Sequence, residues 1–192
     1  SSGDVQAVLP QQLNGSCVNF WSNNQIVIAV PGGLKSGPIK VINYEGQMDS
    51  SSDGNGPILP DFIANNIARP GLCSLDPIEA SLNKEVNYQG VNLYSGQAYF
   101  GNYKTNVSGL YSNFTDNKGL SGKAVVPNIR AGQSGSFVEK NVAGILQKSN
   151  YLQFVKEKEA GDGPYIMSFS PTEGASGQYV TIRGAGFGNV KG

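Results

Sequence analysis

The sequence predicts an all-β chain built from sandwich-type units, and three observations carry that expectation. Short runs of β-branched and aromatic residues recur along its 192 residues, each closed by Gly, Pro, Asn or Ser, as strands closed by tight turns are. Sustained helical periodicity is almost missing. A long internal repeat divides the chain into one whole unit and two half units.

In chain order, the expected strands are 25–30, 38–43, 85–88, 97–100, 123–126, 136–138, 151–155, 165–168 and 179–183. In QIVIAV (25–30), Ile26, Ile28 and Val30 fall on one face, with Gln25, Val27 and Ala29 on the other. Pro31 then ends that strand, because proline cannot donate to a ladder. One short helix is expected over 60–68, where Phe62, Ile63 and Ile67 share a face and Asp61 lies in the first turn. The preceding DSSSDGNG (49–56) reads as a polar linker.

Composition narrows the function. Fourteen basic and fourteen acidic residues cancel, and only 15% of the chain is charged, so nothing attracts nucleic acid or an anionic membrane at long range. No apolar run reaches the ~18 residues of a membrane span. Histidine is absent, which removes the commonest general base and a common metal ligand. No enzyme activity and no cofactor are expected.

The repeat is the most specific feature. PYIMSFSP (164–171) returns as PGLCSLDP (70–77), and Pro171 follows Pro77 by 94 positions. From those prolines, both copies reach a valine nine residues on (Val180, Val86) and a glycine thirteen on (Gly184, Gly90). Ile166 corresponds to Leu72, Phe169 to Leu75, Ile182 to Tyr88 and Phe187 to Leu93. A second pair, IAVP (28–31) and AVVP (124–127), is offset by 96 positions.

PYIMSFSPTEGASGQYVTIRGAGFG (164–188) resembles the opening half of an IPT/TIG domain, and WSNNQIVIAVPGGLKSGPIKV (21–41) resembles its closing half. The resemblance implies tandem immunoglobulin-like β-sandwiches: a closing half over 1–44, a polar linker with a short helix over 45–69, a complete sandwich over 70–157, and an opening half over 164–192. It places Trp21 at a sandwich centre.

The halves stand in reverse order. In the complete copy the opening Pro77 precedes the closing Pro127 by 50 residues. Across a junction joining Gly192 of one copy to Ser1 of the next, Pro171 and Pro31 would lie 52 apart. Half a sandwich exposes a core face and open edges. Either the chain is one period of a longer polypeptide, or it completes its neighbours as a protomer, or its own halves close on each other. The first two give a head-to-tail array that does not close on itself. The expected assembly residues are Trp21, Ile26, Ile28, Val180, Ile182 and Phe187.

Other candidate sites are sparse. Asn14, Asn106 and Asn113 begin N-x-[ST] sequons, so N-linked glycans are expected partners of a secreted chain. Cys17 and Cys73 either pair across two units or stay as buried thiols. Asp49, Ser51 and Asp53 match the first half of a calcium loop, but position twelve is Pro60 where a bidentate Glu is needed. No metal is therefore assigned. The functional expectation is a structural subunit or repeat of an extracellular or cell-surface filament or appendage, with copies of itself as partners. The alternative is a TIG binding or stalk module of a receptor, adhesin or carbohydrate-binding protein, with Tyr94, Tyr99, Tyr103 and Tyr111 as an aromatic platform.

Overall fold

A computed structural model describes residues 5–18, 20–21, 25–52, 59–105, 112–157, 165–173 and 175–185. Its strands are β1 (Lys40–Ile42), β2 (Met48–Ser50), β3 (Gly71–Asp76), β4 (Glu79–Ala80), β5 (Glu85–Val91), β6 (Gln97–Phe100) and β7 (Tyr103–Lys104). They continue as β8 (Ser112–Asn113), β9 (Ser121–Val125), β10 (Gly132–Val142), β11 (Ile145–Lys148), β12 (Leu152–Lys156), β13 (Tyr165–Ser170) and β14 (Thr181–Ala185). A single 3-10 turn, Pro10–Gln12, is the helical element among the described residues. None of their helices is long and apolar enough to cross a membrane.

Strands β3 to β12 form one complete immunoglobulin-like sandwich. One sheet runs β3-β5-β9-β8, and the other runs β4-β12-β10-β6-β7 with β11 on the end of β10. The first strand changes sheets: β3 pairs antiparallel with β5, and three residues later β4 pairs parallel with β12. This order matches the two-sheet arrangement of the immunoglobulin fold. Alternation sets the core: Val86 and Tyr88 of β5 point inward, as do Ala98 and Phe100 of β6 and Leu152 and Phe154 of β12. The Phe100 ring meets those of Tyr88 at 6.2 Å and Phe154 at 4.6 Å. Each such fully buried side chain stabilises the fold by roughly 1.5–3 kcal/mol.

One buried polar chain crosses this core. The Ser136 hydroxyl donates to the Tyr99 carbonyl at 2.8 Å. The Tyr88 hydroxyl therefore donates to Ser136 Oγ at 2.7 Å, tying the two sheets together.

The N-terminal segment lies against this sandwich. Cys17 and Cys73 are joined by a disulfide. Cys17 and Val27 belong to the buried cluster, and Phe20 packs on it. The expected strand over 25–30 is reduced to two isolated bridges, Val8 to Ala29 and Trp21 to Ile26.

The expected helix over 60–68 does not form. The segment takes no helical turn, and Phe62 exchanges two main-chain hydrogen bonds with Gly37, at 2.9 and 3.0 Å. Nine residues are too few to sustain a helix without packing, and Ile63 and Ile67 are exposed. The expected linker also contains β2, which pairs with β1.

Candidate functional site

The second copy of the opening half is a hairpin, β13–β14, whose register repeats that of β3–β5 pair for pair. Tyr165 opposes Ala185 as Gly71 opposes Val91, Ile166 opposes Gly184 as Leu72 opposes Gly90, and Phe169 opposes Ile182 as Leu75 opposes Tyr88. Both ladders shift register at the same place, between Ile166 and Ser168 and between Leu72 and Ser74. The shared glycine has a steric cause: a Cβ on Gly90 would lie 2.0 Å from the Gly71 carbonyl oxygen.

The two hairpins differ in what covers them. Val86 and Tyr88 are wholly buried, whereas their counterparts Val180 and Ile182 are 48% and 52% exposed. Strands β13 and β14 form a two-stranded sheet by themselves.

The segment expected to be a closing half shows the same deficit. Trp21 is 55% exposed and fills no core among the described residues. Ile26, Ile28 and Val30 are exposed too. Val27, on the opposite face, is buried against the complete sandwich. Among the described residues, no ladder or bridge joins 165–185 to 5–30. The expected assembly residues thus lie on two separate apolar faces, while Phe187 lies outside the described residues.

The three sequons have different fates. The Asn14 side chain is buried, and its Nδ2 donates to the carbonyls of Gly90 and Leu120, each at 2.9 Å. Both amide hydrogens are used, so a glycan has no place there. Asn106 lies outside the described residues. Asn113 is exposed, and its Oδ1 accepts from the Thr115 hydroxyl at 2.6 Å and the Thr115 N–H at 3.2 Å. Of the calcium half-motif, Asp49 sits in β2 opposite Val41, and Ser51 Oγ accepts from the Ile39 N–H at 3.1 Å. Asp53 lies outside the described residues, and the described ones gather no metal-binding cluster.

An aromatic row that the sequence did not disclose lies on the outer face of the larger sheet. Tyr99 stacks on Phe137 with centroids 4.8 Å apart and planes 5° from parallel, and Tyr151 follows at 4.8 Å. Lys148 Nζ stands 5.0 Å from the Phe137 centroid. The Tyr99 hydroxyl donates to Glu139 at 3.0 Å, and burial followed by that carboxylate raises its pKa above the ordinary tyrosine value. Of the other expected platform residues, Tyr94 and Tyr103 are exposed and Tyr111 lies outside the described residues. Cross-strand register (Tyr99 opposite Phe137) assembles the row, and single-strand alternation carries no such information.

No family model matches the chain, and no curated protein matches it. Solved structures that it resembles include the gamma-CGTase of an alkalophilic Bacillus clarkii, at 18% identity and a TM-score of 0.37, over 61% of this chain and 16% of that one. SGBP-B from a complex xyloglucan utilization locus in Bacteroides uniformis matches at 13% identity and 0.33, over 64% and 30%. A structure with xylogluco-oligosaccharide matches at 15% and 0.35, over 67% and 25%. The chain spans less than a third of each of these proteins, and scores at this level support no argument about function.

Proposed function

We propose that the chain is a structural segment of an extracellular filament or surface appendage, in which TIG-type sandwiches are completed between neighbouring copies. One observation carries the reading. The β13–β14 hairpin reproduces the register of β3–β5 but exposes the face that β3–β5 bury. A closing half with an equally exposed face lies at the other end of the described chain. Completion by a neighbour converts both exposed faces into a domain core, and the joint takes the character of an obligate interface.

The TIG assignment rests on the repeat motif together with the sheet order. The extracellular assignment is supported by the Cys17–Cys73 disulfide, which is characteristic of oxidising compartments. Asn113 is the sequon this reading assigns to a glycan. Neither catalysis nor a cofactor enters the reading.

The test is the association state of the purified chain, by light scattering and negative-stain electron microscopy over a hundredfold range of concentration. Head-to-tail oligomers that lengthen with concentration are expected. A monodisperse monomer throughout would sink the filament reading. A second reading, a saccharide-binding module, is favoured by exposed Tyr151 and half-buried Tyr99, which flank the buried Phe137 beside Lys148 and Glu139. A glycan array separates the two, because a purely structural segment binds no sugar.

A further inference from the structure

The complete sandwich supplies a template for the missing joint. In it, β5 pairs with β9 so that Val86 opposes Ala124 and Tyr88 opposes Gly122. Flanking this ladder, Val126 donates to the Lys84 carbonyl and Gly90 to the Leu120 carbonyl, each at 2.9 Å. Main-chain groups of even-numbered residues therefore face each other across this pair, since they alternate sides along a strand. The 94- and 96-residue offsets map 85–89 onto 179–183 and 121–125 onto 25–29.

The described hydrogen bonds fit that phase. On 25–29, the odd-numbered residues are engaged along one edge. Val27 donates to Phe20 at 2.7 Å, and Ala29 exchanges bonds with Val8 at 2.8 and 3.1 Å. Alternation turns the main-chain groups of Ile26 and Ile28 to the opposite edge, where the described residues place no strand. These are the counterparts of Gly122 and Ala124. The register of β14 with β13 turns Ile182 to the open edge, and alternation turns Val180, the residue before the strand, the same way, as β5 presents Val86 and Tyr88 to β9.

Side-chain chemistry agrees with the edges. All four residues are apolar and exposed. A Cβ on Gly122 would lie 2.1 Å from the Phe114 ring, so that glycine makes room for an aromatic group from outside the strand. Ile26 brings its own bulk to the equivalent position.

Resting on the proposed assembly, we infer that 179–183 of one copy, the start of β14 with the two residues before it, pairs antiparallel with 25–29 of a neighbouring copy, with Val180 opposite Ile28 and Ile182 opposite Ile26. The same register sets Tyr179 opposite Ala29, a pair outside the new core. The main-chain groups of Val180, Ile182, Ile26 and Ile28 then find partners, and the exposed faces that carry them are buried by one joint.

Cysteine cross-linking reads the register directly. The full chain carrying Tyr179→Cys and Ala29→Cys is compared, under mild oxidation, with a chain carrying Thr181→Cys and Ala29→Cys, which tests a two-residue slip at an exposed position. The first pair should give a ladder of covalent multimers, at least about tenfold more abundant than from the second, because opposed cysteines meet disulfide geometry and slipped ones do not. Equal or reversed yields in a chain that still associates overturn the register and leave the array standing. A cross-link within the monomer, seen as loss of free thiol without multimers, overturns pairing between copies. Absence of both cross-link and association overturns the register and the array together.

Discussion

Two asparagine side chains take the place of neighbouring strands. Asn150 accepts from the Leu72 N–H at 2.8 Å and donates to the Leu72 carbonyl at 2.9 Å, so it pairs both main-chain groups at the bulge of the outer strand β3. Asn14 does similar work for the carbonyls of Gly90 and Leu120. A glycan on Asn14 would remove one of these buried donors, at about 1–3 kcal/mol for an unsatisfied group, besides having no room. In secreted, folded protein from a host that modifies N-x-[ST] sites, peptide mass spectrometry should find glycan at Asn113 and none at Asn14. An occupied Asn14 in folded material contradicts the buried amide. Asp116 offers a second test. The main-chain N–H groups of Lys118 and Leu120, with Ser121, hold its carboxyl below the usual carboxylate range. Its stabilising contribution is therefore complete above the unfolded-state value near 3.8 and is lost as pH falls through the lower folded value. Melting curves of the protein and of Asp116→Asn should differ at pH 7 and begin to converge only as pH falls below about 4. A difference that persists unchanged in acid would show that the carboxylate charge is not what matters there.

At the scale of elements, the legible strands were those with one wet face. β5 reads inward at Val86, Tyr88 and Gly90, and the same alternation marks β6 and β12. The two-residue strands β4, β7 and β8 are too short for any period to show. β10 extends over eleven residues, but only 136–138 look like strand, because 132–135 read Gly-Gln-Ser-Gly and 139–141 read Glu-Lys-Asn. The helix expected over 60–68 is a pattern without a partner: Ile63 and Ile67 of its apolar face stay exposed, and Gly37 offers Phe62 hydrogen bonds instead. A sequon records three residues and no burial, which is why Asn14 looked like a glycan site. The disulfide is an element-scale constraint, closing a loop with a sequence separation of 56 residues. Chain-entropy reasoning gives such a bond about 4 kcal/mol. Reduction should therefore free the N-terminal segment and speed chymotryptic cleavage after Phe20, while the sandwich from β3 to β12 persists. An unchanged cleavage rate would mean that Asn14, Val27 and Phe20 hold the segment without the bond.

Across the whole molecule, the complete sandwich and the two segments flanking it stand in different energetic positions. The sandwich closes its own core, with Tyr88, Phe100 and Phe154 wholly buried. The flanking segments expose Trp21, Ile26, Ile28, Val180 and Ile182, an apolar area of a kind that soluble monomers usually hide. Ile28→Asp separates these two parts of the molecule. Its side chain is 42% exposed in the single chain, so the substitution leaves the complete sandwich and its disulfide untouched. In the joint, the same carboxylate would face Val180 inside a closed core with no cation among its expected neighbours. An uncompensated buried charge costs about 3–5 kcal/mol, which corresponds to more than a hundredfold in association constant. Light scattering of Ile28→Asp should therefore report a monomer at concentrations where the parent chain forms oligomers. Its main thermal transition should match that of the parent monomer. Ile28→Val, which keeps an apolar side chain and removes one methylene, should still assemble. Oligomers of undiminished length from Ile28→Asp would place the joint elsewhere on the molecule, and loss of the main transition would place Ile28 within the sandwich itself.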